Sequence, residues 1–195
     1  MSNRPERDIN KEKMKKMKLS ICVVLSLAMC LITVNLVAQD LMPKKNETTG
    51  KWGFVDKQNK VVIPYKYAIA GEFSEGLAAV AEVTKGGYID KTGKIIIPLQ
   101  YDGMFPFNDG FAIVSIDQNF GVINKTGKEI IPCQYQKIQS LGKDGFSVAK
   151  DNKMGYFDNS GNQKIPLEYT NLAITKEGGF LGMKDGRWVT IEVEK

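Results

Sequence analysis

The stretch KWGFVDKQNKVVIPYKY, residues 51–67, decides the fold because weaker copies of it recur along the chain. It joins a Trp-Gly pair, a polar turn and an apolar run that contains a proline. Three of its positions recur every 34 residues in all four copies: Gly53, Gly87, Gly121 and Gly155; Pro64, Pro98, Pro132 and Pro166; and Tyr67, Tyr101, Tyr135 and Tyr169. A fixed period of this kind is typical of repeat architectures, so the motif is interpreted as a building unit rather than a site.

Two further columns follow the same period. They are Asp56, Asp90, Asn124 and Asp158 at the start of the polar turn, and Ile63, Ile97, Ile131 and Ile165 just before the proline. A fifth copy, with Trp188 at the tryptophan position, covers part of a unit. The sequence therefore predicts about four and a half repeats: 51–84, 85–118, 119–152, 153–186 and the partial 187–195.

A period of 34 residues also fits a two-helix repeat, so the residue types have to decide. Each unit has a proline and two or more glycines, which would break both helices. Short β-branched and aromatic runs such as GYID and KIIIP, separated by turns such as DKTGK, favour strands. In these turns the Asp or Asn can accept a hydrogen bond from the backbone N–H two residues on, and a residue that tolerates positive φ follows. That residue is Asn59, Gly93, Gly127 or Gly161.

These residues resemble the WG-repeat family of bacterial β-rich repeats, whose pattern is W-G-[FY]-[IV]-[DN]-x-x-G-x-x-[IV]-[IV]-P, a Tyr-Asp pair and a Phe-x-x-Gly-[LF]-[AV] strand. The match covers residues 51 to about 193. The tryptophan is replaced by Gly86, Phe120 and Met154, and the Tyr-Asp pair is kept only at Tyr101-Asp102. The resemblance implies an all-β repeat array and an interaction role, and it brings no catalytic residue.

The predicted fold is all-β, with tandem 34-residue β-hairpin repeats stacked into an elongated solenoid-like or twisted array. Neighbouring units would complete each other's core, because one unit cannot bury its apolar face alone. The domains expected are 1–38 as a signal peptide or uncleaved N-terminal anchor, 39–50 as a short linker and 51–195 as the repeat domain.

The N-terminal segment has the layout of a secretory signal. Five lysines between positions 11 and 18 precede the apolar run LSICVVLSLAMCLITVNLVA, which ends at Ala38. We expect cleavage after Ala38 and export to the periplasm, the cell surface or the medium. The same run is long enough to span a bilayer, so an inner-membrane anchor is the alternative.

Two further alternatives concern the same segment. The run SLAMC resembles a lipobox, although Met29 departs from that pattern, so lipid attachment at Cys30 stays open. Met14 and Met17 are alternatives to Met1 as the start, because either would begin a signal with a shorter basic lead.

Charge argues against a nucleic-acid partner. Most of the formal net charge of +5 lies in residues 1–38, and the rest of the chain is nearly neutral. The folded part therefore lacks the basic field that attracts phosphate backbones. Membrane contact is expected only through the N-terminal segment, if that segment stays uncleaved.

Residue types argue against an enzyme. The sequence has no His, which removes His-based nucleophile activation and most zinc sites, and it has no Gly-rich phosphate loop. Carboxylate pairs such as Asp102 with Asp109, or Glu72 with Glu75, have no spacing that favours a glycosidase. Cys133, the lone cysteine after the leader, is interpreted as a small packed side chain. No catalytic residue, metal or cofactor is expected.

Three sets of side chains have a binding interpretation beside the structural one. The Asp column could line a glycan or cation site, although hydrogen bonding within the turn explains the same residues. The Tyr column with Phe73, Phe107 and Leu141 could stack on sugars or peptide side chains, or pack between units. Trp52 and Trp188, at the two ends of the array, are the candidate binding residues.

The predicted function is that of an exported, non-catalytic WG-repeat protein that acts as a protein–protein interaction or scaffold module in the cell envelope. The partner is expected to be another protein. The alternative is a cell-wall or extracellular glycan-binding protein, which predicts a row of exposed aromatic side chains on one face.

Overall fold

A computed structural model describes residues 40–176 and 178–193, so the predicted signal segment lies outside the described residues. Within the described ranges there is no α-helix, and hence no helix long and apolar enough to cross a membrane. The all-β prediction is confirmed. The strands are β1 (Met42–Lys45), β2 (Trp52–Val55), β3 (Val61–Tyr67), β4 (Ile69–Ser74), β5 (Leu77–Ala81), β6 (Gly86–Asp90), β7 (Ile95–Tyr101), β8 (Gly103–Met104), β9 (Phe111–Ile116), β10 (Asn119–Asn124), β11 (Glu129–Tyr135), β12 (Lys137–Ser140), β13 (Phe146–Lys150), β14 (Lys153–Phe157), β15 (Gln163–Tyr169), β16 (Asn171–Ile174), β17 (Phe180–Lys184) and β18 (Arg187–Ile191), with a short 3-10 helix at Gly142–Asp144.

The strands form five antiparallel sheets that follow one another along the chain. The first sheet has the order β1-β2-β3 and the fifth has the order β16-β17-β18. Between them lie three four-stranded sheets, made of β4 to β7, β8 to β11 and β12 to β15. Consecutive sheets contact each other, for example β1 with β4, β7 with β9 and β15 with β17. The predicted stacking of hairpin sheets is confirmed.

Each of the first four sheets ends in the same hairpin, made of a glycine strand and a proline strand. The glycine strands are β2, β6, β10 and β14, and the proline strands are β3, β7, β11 and β15. In the first sheet Trp52 pairs with Tyr67 and Phe54 pairs with Ile63, so three residues of the proline strand bulge opposite Gly53. The same register and the same bulge occur in the other three hairpins.

This bulge explains why the column is glycine. A Cβ built on Gly121 would lie 2.7 Å from the carbonyl oxygen of Ile131 and 2.8 Å from the backbone nitrogen of Cys133. On Gly53 it would lie 2.6 Å from the carbonyl oxygen of Ile63. Such distances are too short for a real Cβ, so only glycine lets the proline strand arch across its partner.

The proline strands supply much of the core. On either side of each bulge an Ile and a Tyr point inward, and these side chains are buried: Ile63, Ile97, Ile131, Ile165, Tyr67, Tyr101 and Tyr135. In the third sheet they pack with Val122 and against Phe146, Val148 and Phe157 of the fourth sheet. The core therefore consists of apolar layers between consecutive sheets.

The sheets are offset from the sequence repeats by half a unit. The repeat 85–118 gives β6 and β7 to the second sheet, and it gives β8 and β9 to the third. Each four-stranded sheet is therefore built by two successive repeats. The segment 39–50, interpreted as a linker, contains β1, which pairs with β2 in the first sheet.

Gly121→Ala should lower the free energy of unfolding by about 2 kcal/mol or more, because the new Cβ would push two paired strands apart. Urea denaturation measures the change. The matched control is Gly71→Ala in β4, whose Cβ would lie 3.7 Å from its nearest neighbour, an ordinary contact. That control should stay within about 1 kcal/mol of the parent. Equal losses in the two variants would contradict the role given to the glycine column.

Candidate interaction surface

The Asp column holds its own turn. Oδ1 of Asp56 accepts hydrogen bonds from the backbone N–H groups of Gln58 and Lys60, both at 2.9 Å. The same two bonds, at 2.8 to 3.0 Å, form in the other three turns, at Asp90, Asn124 and Asp158. Each turn then passes through a residue with positive φ, as the sequence predicts: Asn59, Gly93, Gly127 and Gly161. Because Asn124 makes the same bonds, the column needs an acceptor oxygen rather than a charge.

The environment of Asp90 and Asp158 favours the ionised form of both carboxylates. Burial acts to raise the pKa of Asp90, but hydrogen bonds from the Thr92 hydroxyl and from the backbone N–H groups of Lys94 and Thr92 outweigh it and lower that pKa. At Asp158 burial is likewise outweighed by hydrogen bonds, chiefly from Asn162, and the pKa is lowered.

Within residues 40–176 and 178–193, no group of three or more His, Cys, Asp or Glu side chains is placed to hold a metal ion.

The aromatic columns lie mostly in the core. The buried members are Tyr67, Tyr101, Tyr135 and Phe107, and the half-buried members are Phe73, Leu141 and Tyr169. Phe107 contacts Tyr88 with ring centroids 4.9 Å apart, and Phe73 contacts Phe54 at the same distance. Phe73 and Phe107 therefore pack against rings of a neighbouring sheet, and the aromatic columns do not form an exposed platform.

One carboxylate of each pair considered as catalytic is held by a lysine. Glu75 forms an ion pair of 2.8 Å with Lys125, and Asp102 forms one of 2.6 Å with Lys85. Asp102 also accepts a hydrogen bond from the backbone N–H of Asp117. The hydrogen bond from the lysine is the main cause that lowers the pKa of each carboxyl group. Neither group has the raised pKa that suits a general acid.

Cys133 lies in the proline strand β11, where it is half-buried and packs against the core. Burial raises the pKa of its thiol, and the charge of Glu129 raises it further. A thiol with a raised pKa is a poor nucleophile, which agrees with its interpretation as a packed side chain.

The two tryptophans at the ends of the array have different environments. Trp52 is half-buried, pairs with Tyr67 in the first hairpin and packs against the core. Trp188 lies in β18 and is 47% exposed. The difference arises because no described strand pairs with the outer side of β18, so Trp188 has no neighbour equivalent to Tyr67.

This outer side of β18, residues Arg187–Ile191, is called the β18 edge. The first four residues of the strand are exposed. Val189 occupies the glycine column, 34 residues after Gly155, and is 41% exposed. Sequence reasoning identified Trp188 on this surface and missed Val189, although a valine in the glycine column is a signal that could have found it.

The repeated hairpin and its glycine define an all-β repeat protein whose motif is structural. The family model described as "WG containing repeat" matches residues 52–82, 87–119 and 120–153, together half of the chain. The chain therefore belongs to the WG-repeat family. The fourth hairpin, β14 with β15, continues past these segments in the same register.

Comparison with individual proteins adds little. No curated protein matches the chain. A solved structure titled "Crystal structure of the eukaryotic initiation factor" is similar over 80% of this chain, with 11% identity and a TM-score of 0.45. This chain spans about half of that structure, 52% of its length. Similarity at this level carries no argument about function.

Asp90→Ala removes the acceptor of two backbone N–H groups and should lower the free energy of unfolding by about 1–2 kcal/mol. Asp90→Asn keeps an acceptor oxygen, as Asn124 does in the next turn, and should cause a clearly smaller loss. Urea denaturation of the two variants measures the difference. Equal losses would mean that the hairpin requires the charge and not the turn hydrogen bonds.

Asp90 and Asp158 should make the protein less stable in acid. Both have a folded pKa below the unfolded value of about 3.9, so their contribution is present above that pH and is lost as the pH falls through the folded pKa. The double variant Asp90→Asn, Asp158→Asn lacks this linkage. Its unfolding free energy should fall less than that of the parent between about pH 5 and pH 2. An equal or larger fall in the double variant would contradict the assignment.

Proposed function

We propose that this protein is an exported, non-catalytic WG-repeat protein that acts as a protein–protein interaction module in the cell envelope. The observation that carries the proposal is the exposed β18 edge, where Trp188 is 47% exposed and Val189 is 41% exposed. Sheet edges with free backbone groups bind extended segments of other proteins, and exposed tryptophans are frequent anchors of such contacts.

The repeated columns support the choice of the β18 edge as the contact surface, because each column has a role inside its own repeat. The Asp column holds the turns, the glycine column makes room for the bulges, and the Ile and Tyr columns fill the core. The β18 edge differs from the repeat pattern in both sequence and exposure. A surface that departs from the structural pattern is therefore our choice for the contact surface.

The proposal of export is supported by residues 1–38, where a basic lead precedes an apolar run that ends at Ala38. After cleavage the protein would act in the periplasm, at the surface or in the medium. If the run is retained, it would anchor the repeat domain to the inner membrane instead. Either outcome places the repeat domain in the envelope or beyond it.

A protein partner is favoured over a glycan by the distribution of exposed rings. Glycan binding by stacking requires a row of exposed aromatic side chains. In the described part of the chain, the large exposed hydrophobic residues include two aromatics, Phe105 and Trp188. They belong to different sheets, with Phe105 between β8 and β9, so they do not form a row.

In-cell crosslinking tests the proposed function. A photo-crosslinking amino acid at position 188 should capture an envelope protein of the native host, identified by mass spectrometry. The matched control is the same amino acid at Phe105, which is 50% exposed but lies in the third sheet, and it should not capture that protein. Retention of the protein on a polysaccharide, with no protein captured at position 188, would contradict the proposal and favour glycan binding.

A further inference from the structure

We propose that the β18 edge pairs in antiparallel fashion with the β18 edge of a second copy of this chain. The two three-stranded fifth sheets would then form one continuous sheet across a twofold axis. This inference rests on the proposed interaction role of the edge, and it names the partner that occupies it.

The β18 edge differs from the other sheet edges in lacking protection. The proline strands form one edge of each of the first four sheets, and every one of them carries its column proline. The edge strand β1 carries Pro43, Lys44 and Lys45. The other edge strands, β4, β8, β12 and β16, each contact the preceding sheet. Prolines and lysines discourage the addition of a further strand, and the sequence of β18, RWVTI, has neither.

Val189 determines which kind of strand can pair with this edge. At all four column glycines, a Cβ would lie within 2.8 Å of a carbonyl oxygen in the proline strand. Valine has that Cβ and two methyl groups, so a bulged proline strand cannot approach Val189 in the same way. A flat strand keeps the ordinary separation of about 4.8 Å and fits. The edge therefore selects against a further repeat hairpin and accepts a regular strand.

The backbone groups available for pairing belong to Trp188 and Thr190. The turn 185–186 has two residues with φ of 51° and 76°, which makes Lys184 and Arg187 a hydrogen-bonded pair. Hydrogen-bonded and non-hydrogen-bonded pairs alternate along an antiparallel ladder. The N–H and C=O groups of Trp188 and Thr190 therefore point away from β17.

The third sheet shows the same alternation on a strand whose outer side is occupied. Phe120 and Val122 in β10 hold the positions of Trp188 and Thr190 two repeats earlier. They pair with Tyr135 and Ile131 of the proline strand, on the side away from β9. The equivalent groups of β18 are thus built for pairing but have no partner within the described residues.

Two copies of this edge are complementary to each other. When Val189 lies opposite Val189 of the second copy, Trp188 lies opposite Thr190 of that copy, and the reverse holds on the other side of the axis. Both of these pairs consist of outward-facing residues, so each pair exchanges both of its N–H···O bonds. The same arrangement places the exposed side chain of Val189 beside its copy, which adds an apolar contact across the axis. A second copy therefore satisfies the outward backbone groups of the edge and covers Val189.

Removal of one outward N–H tests the pairing. The protein purified from its host should be a dimer in size-exclusion chromatography with light scattering, with twice the chain mass found by denaturing mass spectrometry. Thr190→Pro deletes the outward N–H without touching a bond to β17, so the dimer should be lost. Thr190→Val keeps that N–H and the size of the side chain, so the dimer should persist. A monomeric parent protein, or a dimer that survives Thr190→Pro, would overturn the proposal.

Disulfide trapping tests the register and does not depend on the folding of the proline variant. In a chain with Ser in place of Cys22, Cys30 and Cys133, Val189→Cys should form an intermolecular disulfide, because the Cα atoms of a non-hydrogen-bonded pair lie about 4.5 Å apart. The matched control is Thr190→Cys, whose copies would be diagonal neighbours about 7–8 Å apart. Non-reducing electrophoresis should show several-fold more crosslinked dimer for Val189→Cys. Equal crosslinking, or more for the control, would overturn the register.

The dimer and the proposed interaction role fail in different ways. A monomer that still captures another protein at position 188 overturns the dimer and leaves the interaction role intact. A dimer trapped at position 189, with no other protein captured at position 188, supports the pairing. In that case the partner in the proposed function is a second copy of this chain and not a different envelope protein.

Discussion

The close approach between each glycine strand and the bulge of its proline strand is the constraint on which the structure depends. At Gly121 there is no room for a Cβ beside the carbonyl oxygen of Ile131. The bulge that fills this space lets Ile131 and Tyr135, four residues apart, pair with Val122 and Phe120, which are two residues apart. Two large side chains of the proline strand thereby reach one short stretch of core.

Interleaving of sheets and repeats follows from where this hairpin is placed. A hairpin of one repeat closes a sheet whose first two strands come from the repeat before it. Each of these sheets is therefore built by two successive repeats, so stability should depend on contacts between successive repeats as well as on each repeat alone. At β18 a glycine-type strand has no described proline strand beside it, and the same logic leaves its edge open to a partner.

Features that depend on local chemistry could be predicted from the sequence. Asp90 accepts its turn hydrogen bonds, Gly93 has positive φ and Tyr101 is buried, because each residue type has few other reasons to recur at that spacing. The sheet boundaries could not be predicted, because the 34-residue period does not show at which residue of the repeat a sheet begins. The strand β1 was hidden for a different reason: its sequence MPKK is typical of a linker and becomes a strand only through pairing with β2.

The binding surface was only partly predictable. Its position at the end of the array makes Trp188 a candidate from the sequence alone. Its difference from Trp52 depends on whether a proline strand lies beside it, which is a tertiary property that the motif does not contain. Val189 was visible as a departure from the glycine column, but its meaning depends on the distance between two backbones.

Hydrogen exchange of two shortened chains tests the interleaving most directly. A chain that ends at residue 118 stops at a repeat boundary and leaves β9 without β10, whereas a chain that ends at residue 135 completes the third sheet. The amide of Val114 in β9 should be protected in the longer chain and should exchange at nearly the unprotected rate in the shorter one. The amide of Val80, in the complete second sheet, should be protected in both. Equal protection of Val114 in the two chains would contradict the claim that each sheet is closed by the hairpin of the next repeat.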